Sequence, residues 1–280
     1  MLNLRGRIRR CLKSCRRLEP VYIPVYQNDL LKGRKALITG GTGGIGFAIA
    51  SAFLDAGASV VITGRDETRV SKSVDELNEK SDVGVCKGVV LDNRRVEDFE
   101  SKLKEGNELI GDIDVLVNNA GVFGGENLGS TQECDYDRIL DTNLKGAYFL
   151  SQCLSEFWKE KKIKANILNV CSSSSLRPGQ NPYIISKWGL RSLTLGLAKS
   201  LARHNIVVNG IAPGPTDTDA MKEIANEAGL NWSANPAGRL VTRQEVANLA
   251  VILVSDLSRM VVGDVVYISG GAGLITFDDV

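Results

Sequence analysis

Two rhythms of hydrophobic positions alternate along the chain. Mostly apolar runs of strand length lie at 35–38, 60–63, 85–91, 115–118, 167–171, 206–211 and 265–268, and each gives way to polar, glycine or proline positions. Between them, apolar residues recur at helical spacing. After the first run these are Ile45, Ala48, Ile49, Ala52, Phe53 and Ala56. A polar-faced helix is predicted at 66–80 and another around 96–103. A long helical region at 136–159 carries Ile139, Leu140, Leu144, Phe149 and Leu150, and a last helix is predicted at 183–202. Asn181 and Pro182 stand before that last helix as N-cap and first-turn residue. Strands spaced by helices imply an α/β fold, a parallel sheet of about seven strands with helices on both faces. No repeat or interdomain linker interrupts 31–280, which reads as one domain behind an arm at 1–30.

The unusual residues fall where the strands end. Thr39 and Gly40 close the first, Gly64 and Arg65 the second, and Asp92 and Asn93 the third. The motif NNAG at 118–121 closes the fourth, Ser172 the fifth, and PGPT at 213–216 the sixth. Ligands of a doubly wound sheet bind outside the carboxyl ends of its strands, so these positions report to one edge. The first strand end is glycine-dense, TGGTGGIG at 39–46, and opens directly into a helix. Without Cβ atoms at Gly40, Gly44 and Gly46 the backbone turns sharply and approaches a pyrophosphate, which meets the N–H groups of the first helical turn. Strand, glycine turn and helix together predict a Rossmann-like, doubly wound three-layer sandwich that binds a dinucleotide.

Tyr183 and Lys187 lie four apart near the start of the last helix, so phenol and ammonium share a face. A cation beside a phenol favours the phenolate, and such a pair exchanges a proton with an alcohol or carbonyl oxygen.

Composition changes this picture little. With 280 residues, 43% hydrophobic and 24% charged, and a net charge of +1, nothing draws the chain toward nucleic acid. No apolar run is long enough to span a membrane. Six scattered cysteines without a CxxC pair, and a single histidine, argue against a metal site. They read as mostly buried thiols in a reducing, cytoplasmic compartment. Charge matters at the N-terminus: seven Lys and Arg and no acid precede Glu19, with Leu4, Ile8, Cys11, Leu12 and Cys15 at helical spacing. That segment is either a basic amphipathic helix for an anionic surface or acidic partner, a transit-like segment, or a loosely ordered arm. Residues 20–26, with two prolines, are expected to be extended.

The TGxxxGxG at 39–46, NNAG at 118–121, YxxxK at 183–187 and PG at 213–214 stand in the order of the short-chain dehydrogenase/reductase family. The chain resembles that family's single-domain branch from about 33 to 273, with a likeness to 3-oxoacyl carrier-protein reductases. The resemblance implies Tyr183 as proton donor and acceptor, and Lys187 as holder of the nicotinamide ribose. It implies Asn143 as keeper of a water in the proton relay. The serine that polarises the substrate oxygen falls at Ser172, with Ser173 or Ser174 the alternatives in a loop shorter than is usual. Thr39, Gly40, Thr42, Gly44, Ile45, Gly46, Asn93, Ala120, Pro213, Gly214 and Thr216 would contact the cofactor. Asp92 would sit at the adenine, Asn119 and Gly121 beside the adenosine ribose, and Thr218 near the carboxamide.

At the end of the second strand, Gly64 and Arg65 stand where an acid would bind the ribose of NAD. A guanidinium there suits a 2′-phosphate, so NADP(H) is the expected cofactor, with NAD(H) possible. Residues 219–240 are the expected lid, with Met221, Ile224, Leu230 and Trp232 as pocket-lining or packing residues. The expected activity is hydride transfer between nicotinamide and a small carbonyl or alcohol, without metal. The substrate is a 3-oxoacyl thioester, possibly carrier-bound, or a sugar, polyol or steroid-like compound. A catalytically silent NAD(P)-binding regulator or scaffold is the second reading. By resemblance the chain forms a homotetramer through the helices at 136–159 and 183–202.

Overall fold

The computed structural model describes residues 29–81, 83–219, 221 and 229–273. The basic arm, the stretch at 20–26 and Ile224 lie outside the described residues. Seven parallel strands form one sheet: β1 (Lys35–Ile38), β2 (Ser59–Gly64), β3 (Cys86–Val90), β4 (Val115–Asn118), β5 (Ala165–Val170), β6 (Ile206–Pro213) and β7 (Val265–Ile268). Their order is β3-β2-β1-β4-β5-β6-β7, so the winding reverses between β1 and β4. Ile38 is level with Ile62 of β2 and with Val117 of β4, which brings three strand ends together at that reversal.

The helices are α1 (Gly44–Asp55), α2 (Glu67–Lys80), α3 (Phe99–Ile110), α4 (Glu133–Leu140), α5 (Gly146–Lys161), α6 (Pro182–Leu201) and α7 (Arg243–Val254). Strand residues alternate between two cores because successive side chains point to opposite faces. Ala36, Ile38, Val60 and Ile62 pack with Ile49 and Phe53 of α1 and with Val246 and Val251 of α7. Leu37, Val61 and Leu116 pack with Phe99 of α3, Leu150 and Trp158 of α5, and Leu201 of α6. Both faces being covered, the strands read as continuous apolar runs rather than as alternating ones. Each fully buried large side chain contributes about 2 kcal/mol. Trp158 is completely buried, and its Nε1–H donates to Ile113 O at 2.6 Å.

At the amino end of the sheet, Arg34 ties three elements together. It donates to Asp114 Oδ2 (2.7 Å), Asn166 Oδ1 (2.8 Å) and Val254 O (2.9 Å). Asp114 also accepts from Lys35 N, so β1 and β4 start in step.

The helical region expected at 136–159 is present and is built of three parts: α4, a π-helical turn at Asp141–Lys145, and α5. The helix α7 is not among the expected elements. Its signal is Thr-x-x-Glu at 242–245 before an apolar run, a capping box that the structure contains in both directions. Of the described cysteines, Cys86 and Cys171 are buried, Cys153 half-buried and Cys134 exposed, so the expectation of mostly buried thiols holds for two. Burial pushes the Cys86 thiol up to about 12 and Cys171 to about 11, which keeps both unreactive.

The capping box also anchors the end of the expected lid. Glu245 accepts from Arg239 Nη2 (2.6 Å) and Nη1 (2.9 Å) and from Thr242 N (2.8 Å). Hydrogen bonds from Arg239, with Thr242 adding to them, lower the Glu245 carboxyl to about 2. A lowered carboxylate contributes stability that is present above its unfolded value near ~4.5 and is lost as pH falls through the folded one. Glu245→Gln should therefore melt at lower temperature than the parent at pH 7, and the gap should narrow between pH ~4.5 and ~2. Thermal circular dichroism checks this; a gap independent of pH contradicts it.

Candidate active site

The glycine turn is held from beneath by the end of β4. Thr39 is buried, and its Oγ1 accepts from the backbone N–H of Asn119 and Ala120, both at 3.0 Å. Asn119 Nδ2 donates back to Thr39 O (2.9 Å) and Gly40 O (3.1 Å). These two predicted side chains are thus spent on shaping the turn, not aimed into the groove above it. Gly40 has φ +65, and a Cβ there would stand 2.9 Å from Ala120 Cα. A Cβ on Gly46 would overlap Gly40 O and Asn119 Nδ2. Thr218 reaches over the turn, its Cγ2 3.6 Å from where a Gly44 Cβ would be.

Beside the turn opens a groove of about 640 Å³. The predicted residues Gly40, Thr42, Arg65, Asp92, Asn93, Ala120 and Gly121 line it, and so do Arg69 and Arg94. Those two arginines were not singled out in the sequence, because neither belongs to a motif. The acids of the groove are already engaged. Asp92 Oδ2 accepts from Arg94 Nη2 at 2.6 Å, and that bond, with the charge of Arg65 assisting, holds its carboxyl below the usual carboxylate range. Asp66 Oδ1 caps α2 by accepting from Arg69 N at 2.8 Å. A side chain at Gly64 would have to displace its neighbours: a Cβ there would stand 2.8 Å from Thr42 Cγ2 and 3.1 Å from Val70 Cγ2.

At the other end of the groove lie the proton-carrying candidates. Asn181 caps α6 by accepting from Ile184 N at 2.9 Å, with Pro182 in the first turn, and this sets where Tyr183 emerges. Lys187 follows one turn later, its Nζ 5.9 Å from the Tyr183 ring centroid. Lys187 is 6% exposed, and its Nζ donates to Val170 O at the end of β5 (2.8 Å). Asn143 occupies the centre of the π-helical turn, a backbone form that often marks a functional position. Its Oδ1 accepts from Val122 N (2.8 Å), and its Nδ2 donates to Val122 O and Ser186 Oγ (both 3.0 Å). A Cβ on Gly121 would touch both Asn143 Oδ1 (3.4 Å) and Lys187 Nζ (3.7 Å), so loop, π turn and α6 meet at Gly121.

Ser172 stands two residues after β5 and caps a short 3-10 turn by accepting from Ser174 N at 3.1 Å. Ser173 is buried, and its carbonyl packs against Gly273. Ser175 Oγ is bonded to Ser172 O (2.7 Å) and lies 3.3 Å from Tyr267 Oη. Pro213 ends β6. Gly214 N donates to Ile268 O at 3.0 Å, and Thr216 is buried with its hydroxyl on Gly214 O. A buried chain of amides aligns these pieces: Asn118 Nδ2 reaches Ser151 Oγ (3.0 Å) and Asn169 Oδ1 (2.9 Å), and Asn169 Nδ2 reaches Thr194 Oγ1 (2.9 Å). It links β4 and β5 to α5 and α6.

Of the expected pocket residues, Met221, Leu230 and Trp232 are half-buried. Residues 230–240 fold back on themselves, with Leu240 N donating to Leu230 O (2.8 Å) and Trp232 N to Gly238 O (3.2 Å). Phe123 was missed altogether. Its ring meets Tyr183 edge-to-face, centroids 4.9 Å apart.

Among the described residues, no three His, Cys, Asp or Glu side chains gather as a metal site, and no helix is long and apolar enough to cross a membrane. Residues 40–273 match the family model described as enoyl-(acyl carrier protein) reductase. The chain is 33% identical over 245 residues to a 3-oxoacyl-[acyl-carrier-protein] reductase of Aquifex aeolicus, covering 86% of this chain and 98% of the relative. It is 33% identical over 251 residues to the 5-keto-D-gluconate 5-reductase of Escherichia coli K12, covering 87% and 98%. A crystal structure of a gluconate 5-dehydrogenase from Burkholderia cenocepacia with NADP and tartrate superposes with a TM-score of 0.81 at 29% identity, covering 90% of this chain and 99% of that one.

Proposed function

Since the chain belongs to the short-chain dehydrogenase/reductase family, whose members interconvert carbonyl and CH–OH groups, we propose that it is an NADP(H)-preferring reductase in which Tyr183 carries the proton. The observation that carries this reading is the meeting of Asn143 and Lys187 at Gly121, which lines the arginine-rich groove, with the Tyr183 ring 5.9 Å from Lys187 Nζ.

The residues present fit a dinucleotide. The glycine turn is a cradle that a Cβ would fill, and the α1 N-terminus directs N–H groups outward from it. Gly40, Thr42, Gly44, Ile45 and Gly46 would hold the pyrophosphate, Asp92 and Asn93 the adenine side, and Pro213, Gly214, Thr216 and Thr218 the nicotinamide side. The bound nicotinamide supplies or takes up the hydride. Tyr183 then donates its phenolic proton to the carbonyl oxygen during reduction, and recovers one from the alcohol in the reverse direction. Lys187, its Nζ anchored on Val170 O, would hold the nicotinamide ribose. Ser172 Oγ accepts from Ser174 N, which leaves its own O–H to polarise the substrate oxygen, with Ser173 or Ser174 the alternatives. Asn143, set with Lys187 at Gly121, would be the residue that keeps a relay water, as the family resemblance implies.

The groove's charges support NADP(H). With Asp92 paired and Asp66 spent on a cap, Arg65 and Arg69 leave a positive field suited to a 2′-phosphate. Similarity to an acyl reductase and to a keto-gluconate reductase supports a small carbonyl substrate, either a 3-oxoacyl thioester or a sugar acid. Tyr136, Tyr148, Ile185, Trp188 and Leu195 expose apolar surface on α4, α5 and α6, which supports assembly as a homotetramer, testable by light scattering.

The test is absorbance-monitored oxidation of NADPH and NADH against a panel of ketones, keto-sugars and acetoacetyl thioesters. NADPH should be consumed with at least one carbonyl class and at lower KM than NADH. Arg65→Ser should raise the KM for NADPH about ten- to a hundredfold and leave that for NADH within about twofold. An equal change for both cofactors would remove Arg65 from the phosphate site.

A further inference from the structure

We infer that Phe123 is the specificity-determining wall of the substrate site, and that it selects carbonyl compounds with an apolar or aromatic group near the reacting carbon over polyhydroxylated ones. The inference rests on the reading of Tyr183 as proton donor, and goes beyond it by naming the substrate class.

Three observations carry it. First, Phe123 is placed by the reacting machinery itself. The residue before it, Val122, has both backbone N–H and C=O clamped by Asn143, which in turn bonds Ser186 of α6. Its ring then packs edge-to-face on Tyr183, centroids 4.9 Å apart at 68°. Second, that contact covers little of the ring. Phe123 is 69% exposed, unlike the large aromatic side chains of the core, so a broad apolar face stands open beside the phenol. Third, the loop that carries it offers little polar side chain chemistry. Residues 121–130 read GVFGGENLGS, with Glu126 the single charged residue, and Leu128 is 82% exposed in the same loop. Gly124 and Gly125, both at positive φ, turn the chain immediately after Phe123, and Gly125 packs on Ile139 and Pro182, which returns the loop to the start of α6.

The physical consequence is a preference. An acyl, alkyl or aryl group laid on the Phe123 face releases water from two apolar surfaces at once, and an aromatic one adds ring–ring geometry. A row of hydroxyls laid on the same face would be stripped of water and gain no hydrogen bond from the ring. The difference acts at the atom next to the proton donor, where it contributes to productive binding rather than to cofactor affinity.

The test compares NADPH-dependent reduction of ethyl benzoylacetate and of 5-keto-D-gluconate by the parent protein, Phe123→Ser and Phe123→Leu. The parent should have the higher kcat/KM for the aryl keto ester. Phe123→Ser should raise its KM about tenfold or more, with kcat within about threefold, and leave the keto-gluconate KM unchanged or lower. Phe123→Leu should restore most of the aryl keto ester KM, because the apolar face returns without the ring. NADPH affinity, measured by fluorescence titration, should be the same in all three, since Phe123 does not line the cofactor groove. The inference is overturned by a parent enzyme that prefers keto-gluconate, or by equal changes for the two substrates. It is also overturned by a lowered NADPH affinity in Phe123→Ser, which would assign the residue a structural role. Consumption of neither substrate by a parent protein that binds NADPH overturns it too. If no other carbonyl of the panel is reduced either, the reading of Tyr183 fails with it; reduction of another class leaves that reading standing.

Discussion

Tyr183→Phe is expected to lower kcat by about a thousandfold while NADPH still binds with nearly parental affinity. The change removes one oxygen and nothing else: the ring that packs on Phe123 is retained, and so is the cap set by Asn181 and Pro182 on α6. Lys187 stays anchored to Val170 O, so the end of the groove keeps its shape. What disappears is the group that exchanges a proton with the substrate oxygen, and positioned acid–base groups contribute about 10²- to 10⁴-fold. Steady-state kinetics together with a fluorescence titration separate the two quantities. Under the reading of the chain as a catalytically silent regulator, parent and variant would be equally inactive while both bind NADPH. A variant with parental turnover would remove Tyr183 from the mechanism.

The second large effect lies at the glycine turn. Gly46→Ala should destabilise the fold by about 3 kcal/mol and abolish dinucleotide binding, because its Cβ falls on Gly40 O and Asn119 Nδ2. Gly40 O is backbone in the tightest part of the turn and cannot yield without opening it. Asn119 could swing aside only by withdrawing its bonds from Thr39 O and Gly40 O, which leaves two carbonyls without that donor. Gly43 is the control. It lies in extended backbone with nothing within 4 Å of its would-be Cβ, so Gly43→Ala should stay within about 0.5 kcal/mol of the parent. Chemical denaturation and NADPH titration of the two variants decide the matter. Equal behaviour would mean that the cradle is not set by the packing of Gly46.

The parts of the candidate site differ in how readable they are. The glycine turn and the Tyr183–Lys187 pair are local patterns whose spacing already carries their geometry: four residues on a helix make one face. The helix α7 was equally local, since Thr242 and Glu245 spell its cap, and it was overlooked rather than illegible. Asn143 is a different case. Its side chain bonds Val122 and Ser186, 21 and 43 positions away, and it sits in a π turn that helical periodicity does not single out. Arg69 and Arg94 belong to no motif, and enter the groove only because α2 and the loop after β3 meet beside β2.

The sequence by itself therefore determined the strand–helix alternation, the edge of the sheet at which the motif residues gather, the glycine turn and the residues proposed to carry the proton. Each of those depends on side chains or glycines within a few positions of one another, where backbone geometry is fixed by local sterics and period. Only the tertiary structure decided that Thr42 stands over Gly64, so that a side chain there would have to displace it. It alone showed that Arg94 lines one groove with Arg65 and Arg69, and that the exposed ring beside Tyr183 belongs to Phe123. Those facts are distances between segments brought together by burying two apolar cores, and no spacing along the chain encodes them.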